Sequence, residues 1–229
     1  MASAAAPAAK TPSRGRIDKR NAILGAAFDV FAAHGYAQAL VQEIAEQAGV
    51  AKPTVYNHFT DKETLFRASL TAEAEAVMQR NIEVLDRLRS PGDDLRAALS
   101  EVALRLARSC CDKRSRSLRW LTYAQVARFP DLIEVVQGCT SLRISEALAD
   151  RLARLAVSGL LRPCDPALAA EQLLALITGP LEVRSRLGTR RIGSTELHEL
   201  ADAAVDTFLH AFGAVPPATD RPARRGGGS

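Results

Sequence analysis

Apolar residues recur at three- and four-residue steps along most of the chain, and strand-like alternation is nearly absent. Ile23, Leu24, Ala27, Phe28 and Phe31 form a first helical stripe that ends at Gly35. Ile44, Ala45 and Ala48 mark a second, short helix, and Val55 with Phe59 gives a third helix one buried face. Thr60-Asp61-Lys62-Glu63 reads as a capping box that opens a helix running to about Leu88. Pro91-Gly92-Asp93 breaks the chain, after which Leu95, Leu99, Val102 and Leu106 set the next helix. The basic stretch from Asp112 to Ser117 reads as a loop, and Leu118 to Phe129 as a helix stopped by Pro130. A capping-box-like Asp131 to Glu134 opens a helix to about Val157, with a possible kink at Gly138 and a stop at Gly159. Asp165-Pro166 is a cap followed by proline, ahead of the apolar run Leu168 to Leu181, whose end Gly179-Pro180 bends. Ser194-Thr195-Glu196 opens the last helix, carrying Leu197, Leu200, Ala204, Phe208 and Phe212 before Gly213. The pattern predicts an all-α fold of about nine helices.

The second and third helices carry the candidate chemistry. Gly49 stands where a chain leaving a helix takes a left-handed turn without steric cost. Pro53 falls in the first turn of the following helix, where its missing N–H does no harm. With Val55 and Phe59 turned inward, Lys52, Thr54, Tyr56, Asn57 and His58 face outward. Two short helices around a tight turn, the second presenting Lys, Thr, Tyr, Asn and His, predict a helix-turn-helix suited to a DNA major groove.

The stretch from Lys19 to Arg67 resembles the DNA-binding domain of the TetR family of bacterial transcriptional regulators. The likeness is carried by Ala26-Ala27, Phe31, Gly35-Tyr36, Ile44-Ala45, Ala48-Gly49-Val50, Tyr56-Asn57-His58-Phe59 and Lys62-Glu63-Thr64-Leu65-Phe66. The resemblance implies that Tyr56, His58 and Lys62 touch phosphates, while Lys52, Pro53, Thr54 and Asn57 approach bases. Ala39-Leu40 and Ala51 depart from the family's usual Ser or Thr, each removing a side-chain cap worth about 1 kcal/mol. Further along, Leu121 to Leu132 and Pro166 to Leu173 look like the AefR-type C-terminal domain found in some members. That likeness implies a ligand-binding and dimerisation domain, with the last two long helices forming a four-helix interface across a two-fold axis.

The division expected is a flexible basic arm at 1–17, the helix-turn-helix domain at 18–66, a ligand-binding and dimerisation domain at 67–213, and a disordered tail at 214–229. Charge placement supports the arm. The formal charge of +4 is modest, and residues 1–67 hold eight Lys/Arg against six Asp/Glu. Lys10, Arg14, Arg16, Lys19 and Arg20 crowd ahead of the first helix, where a basic arm follows phosphates and a plain solubilising tail is the alternative. No apolar run approaches the ~20 residues of a membrane span, and the N-terminus lacks the order of a signal peptide, so the expected location is the cytoplasm. No zinc-like spacing and no cofactor motif is present. No nucleophile motif, phosphate loop or marked carboxylate pair supports an enzyme.

Within the second domain, Leu173, Leu176, Ile177 and Leu181, with Leu200, Ala204 and Phe208, offer more apolar surface than a terminal helical pair should expose. They are the expected homodimer seam, although some of them must also fill the protomer's own core. Trp120, Tyr123 and Phe129 are the densest aromatic grouping, with Arg119 as a polar handle and Met78, Leu99, Val102 and Leu106 as further walls of an effector pocket. Aromatic residues at helical spacing also serve as plain core, and spacing alone leaves both readings open. The function expected is a homodimeric repressor on double-stranded, palindromic operator DNA, released by a small-molecule effector. The alternative is a redox-sensing regulator using Cys110 or Cys111, whose basic neighbours Arg108, Lys113 and Arg114 favour a thiolate.

Overall fold

The computed structural model describes residues 14–186 and 188–214. Residues 1–13, with most of the expected basic arm, and 215–229, nearly all of the expected tail, lie outside the described residues. The helices are α1 (Arg14–Gln38), α2 (Val41–Gln47), α3 (Lys52–His58), α4 (Lys62–Leu85), α5 (Leu95–Cys111), α6 (Lys113–Ala124), α7 (Asp131–Gln137), α8 (Arg143–Val157), α9 (Pro166–Arg184) and α10 (Ser194–Phe212). A π-helical turn, Gly138–Leu142, joins α7 to α8, where the pattern predicts one helix, and Gly138 itself keeps ordinary helical angles. Among the described residues there is no strand beyond an isolated bridge from Leu161 to Gly213. Among the same residues, no helix is long and apolar enough to cross a membrane.

The chain divides into two compact units that do not follow the boundary expected at residue 66. Unit 1 comprises the chain up to Arg80 together with Asp112–Arg143; unit 2 comprises Asn81–Cys111 and the chain from Ile144 onward. In unit 1, Ile23, Phe28, Phe31, Ile44, Val55 and Phe66 share a core with Leu118, Leu121, Phe129 and Leu132 from α6, α7 and the turn between them. In unit 2, α10 buries Leu200, Ala204, Val205 and Phe208, α9 buries Leu173 and Ile177, and α5 buries Leu99, Val102 and Leu106.

Several local expectations need correction. The Asp112–Ser117 stretch is not a loop. Asp112 caps α6, its carboxylate accepting from the Ser115 amide (2.8 Å) and hydroxyl (2.9 Å). Arg114, in the first turn, donates to Glu73 (2.8 Å) and Asp29 (2.8 Å), partners 41 and 85 residues away. Those distant contacts offset the turn's polar, loop-like composition. At α4 the cap is Asp61 rather than Thr60: the Thr64 amide donates to the Asp61 carboxylate at 2.7 Å. Asp131 does not cap α7 either, because its carboxylate is taken by Arg67. Residues 14–17, assigned to the flexible arm, already belong to α1.

The candidate nucleic-acid interface

The turn between α2 and α3 closes as its sequence predicts. Gly49 adopts φ 67°, and the Gly49 and Val50 amides donate back to Glu46 and Ala45 carbonyls at 3.1 and 3.0 Å. That arrangement satisfies carbonyls the end of α2 would otherwise leave open. Gly35, at φ 73° near the end of α1, makes the corresponding break before α2. His34 and Glu43, 3.0 Å apart, tether the two helices across it.

Helix α3 begins at an extended Ala51, holds Pro53 in its first turn, and ends at Phe59. Val55 and Phe59 are buried and fix its inner face. Lys52, Pro53, Tyr56 and Asn57 are exposed, with Thr54 and His58 half-buried beside them. The residues expected to read DNA thus share the outer side of one two-turn helix. Neither α2 nor α3 has a side-chain cap, since Leu40 and Ala51 stand at the capping positions.

Charge gathers around this face. Burial, followed by the positive charges of Arg16, Arg20 and Lys19, lowers the His58 pKa below the usual imidazole value. The first turns of α1 therefore lie near the end of α3, and the Arg20 guanidinium sits 5.5 Å from the Phe59 ring centre. The sequence marks these cations as an arm; the structure places Arg16, Lys19 and Arg20 on a helix. At the start of α4, the Lys62 ammonium donates to the Ala37 carbonyl (3.0 Å) and lies 5.1 Å from the Tyr36 ring centre. Arg128, which sequence reasoning missed, lies 4.9 Å from the same ring centre. Nothing local in the sequence singles it out, because it approaches Tyr36 only through the turn after α6.

The expected pocket residues are shared between the two units. Trp120 and Tyr123 are 56% and 55% exposed. Phe129 is buried in unit 1, edge-on to Tyr36 at 5.3 Å between ring centres and 5.9 Å from Phe66. Met78 is buried on α4, Arg119 is half-buried on α6, and Leu99, Val102 and Leu106 belong to the core of unit 2. The aromatic grouping along the sequence is split because α6 turns its Trp and Tyr outward while the following turn inserts Phe129. A cleft of about 390 Å³ does open in unit 1, between Asn21, Gly25 and Phe28 of α1, Ser69 and Glu73 of α4, and Arg114.

The expected seam residues lie on α9 and α10 in unit 2. Leu173, Ile177, Leu181, Leu200, Ala204 and Phe208 are all buried within the protomer, and only Leu176 of that set is partly exposed. The face that α9 and α10 leave open lies one helical step away. There Gln172, Ala175, Leu176 and Pro180 of α9 face Thr207 and Ala211 of α10 across a shallow groove of about 390 Å³, floored by Phe208 and Phe212.

Comparison with known proteins agrees with this architecture. The model of the tetR family of bacterial regulatory proteins matches residues 23–69, and that of the AefR-like transcriptional repressor C-terminal domain matches 97–214, just over half of the chain. A solved TetR-family structure from Mesorhizobium loti is similar over 89% of this chain and 100% of that one, at 32% identity and a TM-score of 0.82. The flavonoid-responsive regulator FrrA is similar over 85% of this chain and 97% of its own, at 27% identity and a TM-score of 0.63. The transcriptional activator FasR of Mycolicibacterium smegmatis is 36% identical over 84 residues, which is 37% of this chain and only 38% of FasR. On the match over residues 97–214 and the full-length likeness to the Mesorhizobium structure, the chain belongs to the TetR family of bacterial transcriptional regulators, with an AefR-like C-terminal domain.

Proposed function

We propose that the protein is a homodimeric repressor that binds a palindromic operator through α3 and leaves it when a small molecule binds. The observation that carries the reading is the outer face of α3. Lys52, Thr54, Tyr56, Asn57 and His58 stand on one side of a helix pinned from behind by Val55 and Phe59, with Arg16, Lys19 and Arg20 close to its end. Thr54 and Asn57 are short hydrogen-bonding groups suited to base edges, and the cations suit phosphates. The repressing sign is supported by the description of the domain family matched over residues 97–214, a longer stretch than the one shared with the activator FasR. FrrA is by name responsive to flavonoids, which makes small aromatic compounds the first effector class to screen.

Self-association uses the groove between α9 and α10 in this reading. Leu168, Ala175, Leu176, Pro180 and Val183 recur along α9 at helical spacing as an exposed stripe, and Val183 is 79% exposed. A second copy covering that stripe would remove apolar surface from water, and its two-fold axis would place two α3 helices about one DNA turn, ~34 Å, apart. Selection of bound fragments from the source genome should yield an inverted repeat. Thr54→Ala and Asn57→Ala should each shift base preference within it by about 1–3 kcal/mol per affected base pair. Leu176→Asp and Ala211→Glu should give folded monomers in sedimentation, with weakened operator binding. Unaltered base preference in both α3 variants removes the groove-reading role, and an unaltered dimer in both seam variants removes this interface.

A further inference from the structure

Lys62 and Arg128 share the ring of Tyr36, at 5.1 and 4.9 Å from its centre. Tyr36 is buried and is held edge-on by Phe66 (4.9 Å) and Phe129 (5.3 Å), so the platform beneath the cations is fixed. Arg128 also stacks over Phe129 at 5.2 Å. Neither cation lies within ion-pairing distance of a carboxylate among the described residues, and the neighbouring acids have other partners. Asp61 accepts from the Thr64 amide, while Glu63 and Asp131 are both taken by Arg67. Burial and the nearby Arg128 charge both hold Lys62 below its ordinary pKa. Two like charges around one ring, close enough for Arg128 to be felt at Lys62 and without a paired carboxylate, suit an anion from outside the protein, and ammonium and guanidinium donors together suit phosphate.

The position says which phosphate. Lys62 follows three residues after Phe59, the residue that ends α3, and its ammonium holds the Ala37 carbonyl in the last turn of α1. We propose that Lys62 and Arg128 jointly bind one backbone phosphate of the DNA, so that the turn after α6 is part of the DNA-binding surface. Arg128 lies within the stretch matched by the C-terminal domain family, so a residue outside the helix-turn-helix then contributes directly to DNA affinity. The proposal rests on the DNA-binding reading above.

The test uses the full chain and a mixed-sequence duplex several helical turns long, with affinity measured across a salt series. Arg128→Met keeps the apolar stem and removes the charge; Arg128→Lys keeps the charge and gives up the planar stack. Arg128→Met should flatten the plot of log affinity against log salt by up to about 0.9 per protomer, the contribution of one phosphate, with less lost where Lys62 still holds it, and Arg128→Lys should restore most of the slope. Lys62→Met combined with Arg128→Met should lose less than the sum of the single losses, because both groups serve one phosphate. Unchanged slope and affinity in Arg128→Met, with wild type binding normally, overturns the proposal and leaves the DNA-binding reading standing. Loss in Arg128→Met that Arg128→Lys does not restore assigns Arg128 a packing role only and also overturns it. A wild type that fails to bind any duplex sinks the DNA-binding reading itself.

Discussion

The two units treat their positive charges differently. In unit 2, most arginines meet carboxylates: Arg87 with Glu101, Arg96 with Asp206, Arg105 with Glu101, Arg151 with Asp86 and Asp150, and Arg190 with Glu196; Arg162, over the Phe212 ring at 5.6 Å, is an exception. In unit 1, cations lie over rings: Arg20 on Phe59, Lys62 and Arg128 on Tyr36, Arg67 on Phe129 and Arg114 on Phe28. Arg67 and Arg114 add carboxylate partners, but Arg20, Lys62 and Arg128 form no ion pair among the described residues. A carboxylate cancels the charge it positions, whereas a ring face positions a cation and leaves its charge available. Unit 1 keeps its charge for something outside the protein, which is what an affinity for a polyanion requires.

The contrast is open to attack first at the rings. Phe129→Ala removes the surface that supports Arg67 and Arg128 and leaves a cavity beside Tyr36 and Phe66. It should cost about 3–5 kcal/mol in urea unfolding. A loss under about 1 kcal/mol would mean that Phe129 is not part of the core of unit 1. In unit 2 the matching experiment is Arg151→Met. Arg151 is buried, but Asp86 and Asp150 are each 46% exposed and can regain water, so the loss should stay near 1 kcal/mol or less. A loss as large as that of Phe129→Ala would erase the distinction between the units. The smallest effect concerns His58. Its pKa is lower folded than unfolded, so the unfolded chain takes up the proton first as pH falls. Stability attributable to this residue is therefore present above the unfolded value near 6.5 and declines as pH drops through it. His58→Gln should flatten the melting-temperature profile between about pH 7 and 5, and an unchanged profile would separate His58 from the α1 cations.

Where local chemistry decides structure, the residues could be read directly. Gly49, Pro53, Val55 and Phe59 specify α3 and its orientation within a dozen positions, and the structure bears that out. The Asp165-Pro166 start and the Gly159 stop are legible for the same reason. What could not be read depends on partners far along the chain. The first turn of α6 is polar enough to pass for a loop until Glu73 and Asp29 are brought to Arg114. Phe129 suits a pocket wall as well as a core, and only its meeting with Tyr36 and Phe66 decides between them. On α9 and α10 the apolar stripe was visible, but which of its edges faces inward depends on packing that a helical period does not specify. The result is a one-step shift from Leu173, Ile177 and Leu181, which are buried, to Ala175, Leu176 and Pro180 at the open groove.

The chain passes from one unit to the other after Arg80, Cys111 and Arg143, so each unit is assembled from separated pieces of sequence. That interleaving limits how the protein can be recombined. A graft that joined residues up to 69 to a foreign C-terminal half would strip Phe66 and Tyr36 of Phe129, and Arg67 of Asp131. The foreign half would have to supply a compatible ring and acid at corresponding places. A transplant that carried Asp112–Arg143 along with the first eighty residues would keep the unit whole, at the cost of two additional junctions. For this protein the DNA-reading half is inherited as two strips of sequence, and changes in the later strip are constrained by residues in the earlier one.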